Sequence, residues 1–321
     1  MPARVQSGSL RVPLPVFIGR TPVPQCAVVF ACRRMPCFSP LHGWRSRRPG
    51  ASGKYQVVFN RRLGMSDLPR TVPCGQCIGC RLERSRQWAI RCVHEAQMHE
   101  DNCFITLTYD DLHCPEDHSL VLRDIQLFCK RLRKKIGKFR FFHAGEYGAI
   151  THRPHYHMCI FGYRPSDAVL YKKTEIGHAL YTSKIIDETW GLGRCWIGDV
   201  SFDSAAYVAR YIVKKVTGER AEAHYAGRKP EYTTMSRRPG IGDEWLKKFS
   251  SDVYRHDELV LRGKRMRAPR AYDRRIELTD PELIASLKRR RKVNAIERDQ
   301  DSLDVSATVK LAQIKSLRRG L

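Results

Sequence analysis

The first 66 residues contain no acidic side chain, and basic residues outnumber acidic ones over the whole chain. No Asp or Glu occurs before Asp67, whereas Arg and Lys occur eleven times there. The whole chain of 321 residues has 33 acidic and 58 basic side chains, a formal charge of +25. Because like charges repel, this balance disfavours a cationic partner and makes a polyanion the expected one. Residues 1–54 are predicted to form a basic, flexible arm, within which Met35 offers a second start that would make residues 1–34 an upstream extension.

Long hydrophobic runs are also missing. The best apolar stretches are the length of single strands, well short of the ~18–20 residues that cross a bilayer, so no membrane partner is expected. Pro13 and Pro15 interrupt the apolar stretch Val12–Ile18, which argues against a secretory signal. Gly and Pro, at 22 and 17 residues, are too few for a collagenous or mostly disordered chain, and 42% hydrophobic residues are enough for a core.

The hydrophobic periodicity predicts an α+β fold. Strands are predicted at residues 103–109, 139–146 and 155–161, and helices at residues 81–98, 122–136 and 204–216. The order strand, helix, strand, strand, helix favours a central antiparallel sheet with helices packed on one face. A Cys-rich N-terminal segment precedes this sheet, and a basic tail follows it.

The domain organisation follows from these patterns. Residues 55–220 are predicted to form the main domain, including the Cys cluster. The signal thins after Gly218, so residues 221–280 are predicted to be an irregular extension of that domain. Residues 281–321 contain the run Lys288–Lys292 and are predicted to form a basic helical tail.

Two histidines, His155 and His157, alternate within the third predicted strand. Side chains two apart in a strand point to the same face, so both imidazoles could bind one cation. If the two neighbouring strands pair as a hairpin, residues whose numbers sum to about 303 lie opposite each other, which places Glu146 opposite His157. Two imidazoles and a carboxylate suit Mg²⁺ or Mn²⁺, and Zn²⁺ also fits. His143 and His152 are alternative third ligands.

The helix predicted at residues 204–216 carries two tyrosines, Tyr207 and Tyr211. Residues four and seven apart share a face of a helix, so Tyr207, Tyr211 and Lys214 lie on one stripe, with Arg210 and Lys215 close by. A nearby positive charge favours phenolate, which is the nucleophilic form of a tyrosine. Packing in the core is the alternative role for both rings.

Three thiols lie at metal-ligand spacing in the motif Cys74-x2-Cys77-x2-Cys80. A tetrahedral zinc site requires a fourth ligand, for which Cys92 and His94 are candidates. The alternative is a set of thiols that bind no metal, and an iron–sulfur cluster is a further option.

Together these stretches resemble the HUH endonuclease superfamily, in which paired histidines on a central strand hold a metal and one or two tyrosines on a downstream helix attack DNA. More narrowly, the chain resembles the rolling-circle replication initiation proteins of microviruses, especially the gokushovirus branch. The resemblance covers roughly residues 35–273. The matching stretches are residues 35–40, 73–81, 106–109, 145–148, 153–162, 207–215 and 238–242.

The resemblance implies a metal-dependent endonuclease and strand transferase of the two-tyrosine type. Such an enzyme nicks single-stranded or supercoiled phage origin DNA, leaves a 5′-phosphotyrosyl link and a free 3′-OH, and later rejoins the strands. It implies the following roles: metal binding by His155, His157 and Glu146, catalysis by Tyr207, Tyr211 and Lys214, and DNA binding by Arg210 and Lys215. Cys37 lies in a matching stretch and becomes the preferred fourth ligand of a structural zinc formed with Cys74, Cys77 and Cys80.

The implied setting is the cytoplasm of a bacterial host cell, with single-stranded DNA and the replication origin as partners. The chain has no Gly-x4-Gly-Lys-Ser/Thr phosphate loop, so duplex opening would depend on a host helicase and synthesis on a host DNA polymerase. Relaxases and single-tyrosine transposases are less compatible, because they use other histidine arrangements or one tyrosine. The alternative from another class is a non-enzymatic basic protein that binds or packages single-stranded DNA and carries a structural zinc site.

Overall fold

The computed structural model describes residues 37–51, 53–148, 151–174, 177–216, 220–295 and 298–316. Its strands are β1 (Leu41–Pro49), β2 (Tyr55–Val58), β3 (Gly64–Val72), β4 (Asn102–Thr108), β5 (Arg140–Tyr147), β6 (Pro154–Phe161), β7 (Val169–Lys173), β8 (Ala179–Thr182), β9 (Cys195–Gly198), β10 (Tyr232–Met235), β11 (Leu259–Leu261) and β12 (Lys264–Met266). Its helices are α1 (Ile78–Ala96), α2 (Leu122–Ile136), α3 (Lys184–Trp190), α4 (Phe202–Lys214), α5 (Arg220–Tyr225), α6 (Asp243–His256), α7 (Arg270–Thr279), α8 (Pro281–Val293) and α9 (Gln300–Ser316). Among these described residues, no helix is both long and apolar enough to cross a bilayer.

A large antiparallel sheet forms the centre of the fold, as the sequence predicts. In the described residues this main sheet has seven strands in the order β10-β5-β6-β4-β9-β8-β7. Its central strand β6 pairs with β4 on one side and β5 on the other, and both pairs are antiparallel. Nearly every residue of β6 is buried, so the strand is apolar on both faces apart from the polar positions described below.

One face of the main sheet is covered by α2 and α3. Ile105 of β4 and Met158 of β6 belong to one buried cluster with Phe128 of α2 and Trp190 of α3. In α2 the buried side chains recur at the spacing of an amphipathic helix: Ile125, Phe128, Cys129 and Leu132. This is the helix that the periodicity of residues 122–136 predicts.

The opposite face is covered by α1 and α4, so the prediction that helices pack on one face is wrong. Phe142 of β5 and Cys159 of β6 are fully buried in a second cluster with Ala89 of α1 and Val208 and Ala209 of α4. The physical reason is that β5 and β6 bury side chains on both faces, and each buried face needs its own covering layer. The active-site candidates lie on the side covered by α1 and α4.

A second, smaller sheet includes one strand from the region predicted to be a flexible arm. Within the described residues this small sheet consists of β2, β1 and β3 in that order, and β1 covers residues 41–49 of the predicted arm. These residues of the predicted arm form a regular strand, while residues 1–36 lie outside the described part. The small sheet buries little, because most of its side chains are half-buried or exposed.

Residues 221–280 contain regular elements and are not the irregular extension that was predicted. β10 pairs with β5 at the edge of the main sheet, and α6 and α7 form a third buried cluster with Ile90 of α1. The tail predicted at residues 281–321 is helical in α8 and α9, and α8 joins the same cluster through Ile284 and Leu287. The local hydrophobic pattern did not reveal these elements, because their packing partners lie far away along the chain.

Acidification is expected to weaken the attachment of α6 and α7 to α1 through His94. The His94 ring is 2% exposed, stacks on Trp245 with centroids 3.5 Å apart, and is hydrogen-bonded through Nδ1 to the Tyr272 hydroxyl at 3.0 Å. Burial lowers the pKa of His94 to about 3, whereas a histidine in the unfolded chain titrates near 6.5. The unfolded chain therefore takes up the proton first, and stability falls as the pH drops from 6.5 towards 3, by up to about 1.4 kcal/mol per pH unit.

The measurement is the urea midpoint between pH 7.5 and pH 4.5 for the wild type and His94→Gln, which cannot take up a proton. Other titrating groups contribute to both curves, so the difference between the curves reports His94. The wild-type curve should fall more steeply below pH 6.5, and parallel curves would contradict the expectation.

Candidate active site

The register of the β5–β6 hairpin places the three predicted metal ligands together. Glu146 lies opposite His155, and Ala144 lies opposite His157, so the predicted pairing of Glu146 with His157 is wrong by two residues. A shift of two residues keeps a side chain on the same face of a sheet. The Glu146 Oε2 atom consequently lies 3.3 Å from His155 Nε2 and 3.1 Å from His157 Nε2.

Hydrogen bonds at the other ring nitrogens orient both imidazoles. His155 Nδ1 lies 3.2 Å from the carbonyl oxygen of Arg153; a carbonyl only accepts, so Nδ1 donates and Nε2 carries the lone pair of the neutral ring. His157 Nδ1 lies 3.0 Å from Thr106 Oγ1, which can accept a hydrogen bond from the Nδ1–H group in the same way. Both Nε2 atoms then face Glu146 as potential ligands.

The three side chains of the site differ in their exposure to solvent. Glu146 and His157 are buried, at 2% and 4% exposure, whereas the His155 side chain is 18% exposed. A buried carboxylate beside two imidazoles is costly unless a cation or a proton compensates it. The three ligand atoms lie within 4.8 Å of one another, so the donor set of two nitrogens and one oxygen fits a single divalent cation.

The alternative third ligands do not join this group. His143 is fully buried on the opposite face of β5, where Nδ1 is hydrogen-bonded to Thr234 Oγ1 at 3.1 Å. Burial lowers the pKa of His143 to about 3, so the ring stays neutral there. His152 lies in the turn between β5 and β6 and is exposed.

Helix α4 brings Tyr207 to the histidines. The helix begins at a capping box in which Ser201 and Ser204 cap each other's backbone N–H groups, and its apolar side packs on the sheet through Ala205 and Val208. The Tyr207 ring is half-buried and meets the His157 ring edge-on, with centroids 5.0 Å apart. One tyrosine of the predicted pair is thus on the same face as the three ligands.

The remaining predicted residues of α4 are only partly described. The backbone of α4 runs through Lys214, but the side chains of Arg210, Tyr211 and Lys214 lie outside the described residues. Lys215 is exposed, and its carbonyl oxygen accepts a hydrogen bond from Arg81 Nη2 at 3.4 Å.

A row of side chains that the sequence analysis missed leads away from His157 across the sheet. Thr106 of β4 lies opposite His157 on one side and opposite Trp196 of β9 on the other, so the three share a face. Trp196 is half-buried and contacts Tyr171 of β7, with ring centroids 4.7 Å apart; Tyr171 is 56% exposed. The alternation of β4 indicates the face of Thr106, but strand order is needed to bring Trp196 beside it.

The four cysteines of the predicted structural metal site also lie together. The Sγ atoms of Cys37, Cys74, Cys77 and Cys80 lie within 4.8 Å of one another. The alternative ligands are elsewhere: Cys92 is buried beside Phe142 and Cys159 in the cluster under α1 and α4, and His94 stacks on Trp245.

Known proteins resemble the chain over the elements that carry the candidate site. The family model described as replication-associated protein ORF2/G2P matches residues 102–216, which include β4 to β6 and α4. Relatives that are 36% and 33% identical, each matched over about four fifths of its length, show that the chain belongs to the family of replication-associated proteins of microviruses. This confirms the narrower of the two resemblances seen in the sequence, the one to replication proteins of microviruses. No solved structure matches the chain significantly.

Three relatives cover much of the chain. The replication-associated protein VP4 of Bdellovibrio phage phiMH2K is 36% identical over 253 residues, which are 75% of this chain and 79% of that protein. The replication-associated protein ORF2 of Spiroplasma virus 4 is 33% identical over 263 residues, 76% of this chain and 81% of that protein. The replication-associated protein ORF4 of Chlamydia phage 1 is 29% identical over 214 residues, 63% of this chain and 52% of that protein.

Proposed function

We propose that the protein is a replication initiation endonuclease that nicks phage origin DNA by tyrosine transesterification and later rejoins the strands. The observation that carries the proposal is the convergence on one sheet face of Glu146, His155 and His157 with the ring of Tyr207, 5.0 Å from His157. The relatives' names support a role in replication. The reaction would take place in the cytoplasm of the infected bacterial host cell.

The three ligands would hold Mg²⁺ or Mn²⁺, which, when bound, supplies Lewis-acid stabilisation to a phosphate. The chain's own groups account for the exchange of bonds. A tyrosine oxygen of α4 attacks phosphorus, forming the Tyr–O–P bond and breaking the P–O3′ bond. The phenol loses one proton and the departing 3′ oxygen gains one, and Lys214 is the residue proposed to donate it or to stabilise the phosphate charge.

Two tyrosines suit a complete cycle. Each transesterification replaces one phosphate ester with another, so the bond energy is kept in the protein–DNA link and no nucleotide hydrolysis is needed. After one round of synthesis, the second tyrosine would cut the regenerated origin, and the new 3′-OH would attack the first link and close the circle. A host polymerase would extend the free 3′-OH, and a host helicase would open the duplex.

The row from His157 through Thr106 and Trp196 to Tyr171 is the path we propose for the DNA strand. Bases of single-stranded DNA stack on aromatic rings, and each such contact contributes about 1–3 kcal/mol to binding. Trp196 and Tyr171 are accessible on the face of the sheet that carries the ligands. Basic residues such as Lys215 would contact phosphates, with an affinity that falls steeply as salt increases.

Replacing Trp196 with alanine is expected to weaken binding of a single-stranded oligonucleotide by about 5- to 100-fold, because one stacking surface is lost. Fluorescence anisotropy at fixed salt measures the effect. Trp196→Phe keeps an aromatic face and is the matched control, expected to bind within a few-fold of the wild type. Equal affinity of Trp196→Ala and the wild type would show that the strand follows another path.

The test of the function is a covalent adduct. The protein is incubated with Mn²⁺ and 3′-labelled single-stranded fragments that tile the phage genome encoding it, and the products are separated in SDS. A nicking enzyme transfers the label to the protein, because the fragment downstream of the nick carries the phosphotyrosyl link. The adduct should disappear when EDTA is added before the DNA.

The alternative, a non-enzymatic protein that binds or packages single-stranded DNA, is favoured by the charge of +25. Such a protein would bind the same fragments in a salt-dependent way and never acquire the label. Binding to all fragments with no adduct from any of them would replace the enzymatic proposal with this one.

A further inference from the structure

The four cysteine sulfur atoms near the start of α1 lie at distances expected for the ligands of one tetrahedrally coordinated ion. Cys37 Sγ lies 3.7 Å from Cys74 Sγ and 3.9 Å from Cys77 Sγ. Four sulfurs placed tetrahedrally at the Zn–S bond length of about 2.3 Å are about 3.8 Å apart. Disulfide bonding would bring two of the sulfurs to about 2.05 Å, and a cluster of several irons would hold the cysteine sulfurs farther apart.

Backbone N–H groups point at these sulfurs. The N–H of Phe38 donates to Cys77 Sγ at 3.2 Å, and that of Cys74 donates to Cys37 Sγ at 3.3 Å. The N–H of Cys77 donates to Cys74 Sγ at 3.2 Å. Donors placed around sulfur stabilise the thiolate form, which is the form that binds metal.

Cationic side chains border the same place. Arg81 and Arg84 of α1 line a cleft of about 530 Å³ together with Cys74 and Lys215. Four thiolates and one divalent cation carry a net charge of −2, and nearby guanidinium groups would offset part of it.

The small sheet has little core of its own, so a bound metal ion would stabilise it. Its strands β1, β2 and β3 pack mainly against one another. They bury little apolar surface: Tyr55 of β2 is 47% exposed, and Phe59 and Leu63, between β2 and β3, are 56% and 59% exposed. Sheets with so small a core are commonly stabilised by a metal or by disulfides. Cys37 precedes the sheet and Cys74 follows it, so one ion would close the ends of the sheet and attach them to α1.

We propose that Cys37, Cys74, Cys77 and Cys80 bind one structural Zn²⁺, which holds the small sheet folded and fixes it to the N-terminus of α1. This site is separate from Glu146, His155 and His157 and does not depend on the nicking function.

The first test is the zinc content of the full chain, purified without chelators and measured by mass spectrometry. We expect about one Zn per chain, near zero in Cys77→Ser, and the wild-type value in Cys114→Ser, which changes a half-exposed thiol outside the cluster. His157→Ala should also keep its zinc, which distinguishes this site from the candidate active site. Zinc at the wild-type level in both Cys77→Ser and Cys37→Ser would overturn the proposal.

A second test does not depend on the folding of a variant. Wild-type protein depleted of metal and reloaded with Co²⁺ should show the absorption of tetrahedral thiolate-bound Co²⁺, and added Zn²⁺ should displace it. In the metal-free chain, limited trypsin digestion should cut first between Arg45 and Arg70. Addition of Zn²⁺ should suppress this cleavage. Absence of the cobalt spectrum, or a cleavage pattern unchanged by zinc, would overturn the proposal.

Discussion

Replacing Tyr207 and Tyr211 together with phenylalanine is expected to lower formation of the SDS-resistant protein–DNA adduct by at least about 10³-fold, because the variant has neither helix nucleophile. Tyr207 is half-buried beside His157, and Tyr211 follows one helical turn later on α4. Phenylalanine keeps both aromatic rings, so DNA binding should stay within about threefold. Label transfer to the protein and oligonucleotide anisotropy measure the two quantities.

The single variants separate the tyrosines. If each can attack, Tyr207→Phe and Tyr211→Phe both keep some adduct, while joining of two nicked strands, which uses both residues, is lost in each. Tyr163→Phe is the matched control, since in the described structure the Tyr163 hydroxyl is buried without a hydrogen-bond partner and its loss should leave cleavage unchanged. An adduct of undiminished yield in the double variant would place the nucleophile elsewhere.

The candidate site could be predicted to a large extent because its residues lie on local, strongly patterned elements. His155 and His157 alternate in a strand, and Glu146 lies across a hairpin only a few residues away in sequence. The predicted register was wrong by two residues, since the hairpin continues to Tyr147 and Pro154. Side chains alternate with a period of two, so this error left Glu146 on the correct face.

The layering of the fold could not be predicted in the same way. The periodicity of α2 shows that it has a buried side, but not which face of the sheet it covers. That depends on β5 and β6, which bury side chains on both faces, and on the packing of α1 against α4 across more than a hundred residues. The position of Trp196 beside Thr106 likewise requires the pairing of β4 with β9.

The cysteine cluster shows what the family resemblance adds to the local sequence pattern. The spacing of Cys74, Cys77 and Cys80 indicates three ligands of one ion. Cys37 is separated from them by the whole small sheet, and spacing alone offered Cys92 and His94 instead. The structure brings the Cys37 sulfur to the other three, because β1 and β3 pair antiparallel and return the chain to its starting point.

Replacing His157 with alanine is expected to lower DNA cleavage by at least about 100-fold while leaving DNA affinity and its salt dependence within about threefold of the wild type. Loss of one of three ligands weakens the binding of the divalent cation, and its Lewis-acid contribution amounts to several kcal/mol. DNA affinity, in contrast, comes from the distributed basic charge and from stacking on rings such as Trp196. Adduct yield at a series of Mn²⁺ concentrations, together with anisotropy at a series of salt concentrations, measures both.

The Mn²⁺ series distinguishes a lost ligand from a damaged fold. If His157 acts as a ligand, His155→Ala should show the same defect. Glu146→Gln, which keeps the shape and one oxygen but removes the charge, should recover part of its activity at high Mn²⁺. His256→Ala changes an exposed histidine on the last turn of α6 and should cleave normally. Parallel loss of cleavage and DNA binding in His155→Ala and His157→Ala, with no response to Mn²⁺, would instead make the two rings structural parts of β6, since a ligand defect and a folding defect differ in that response.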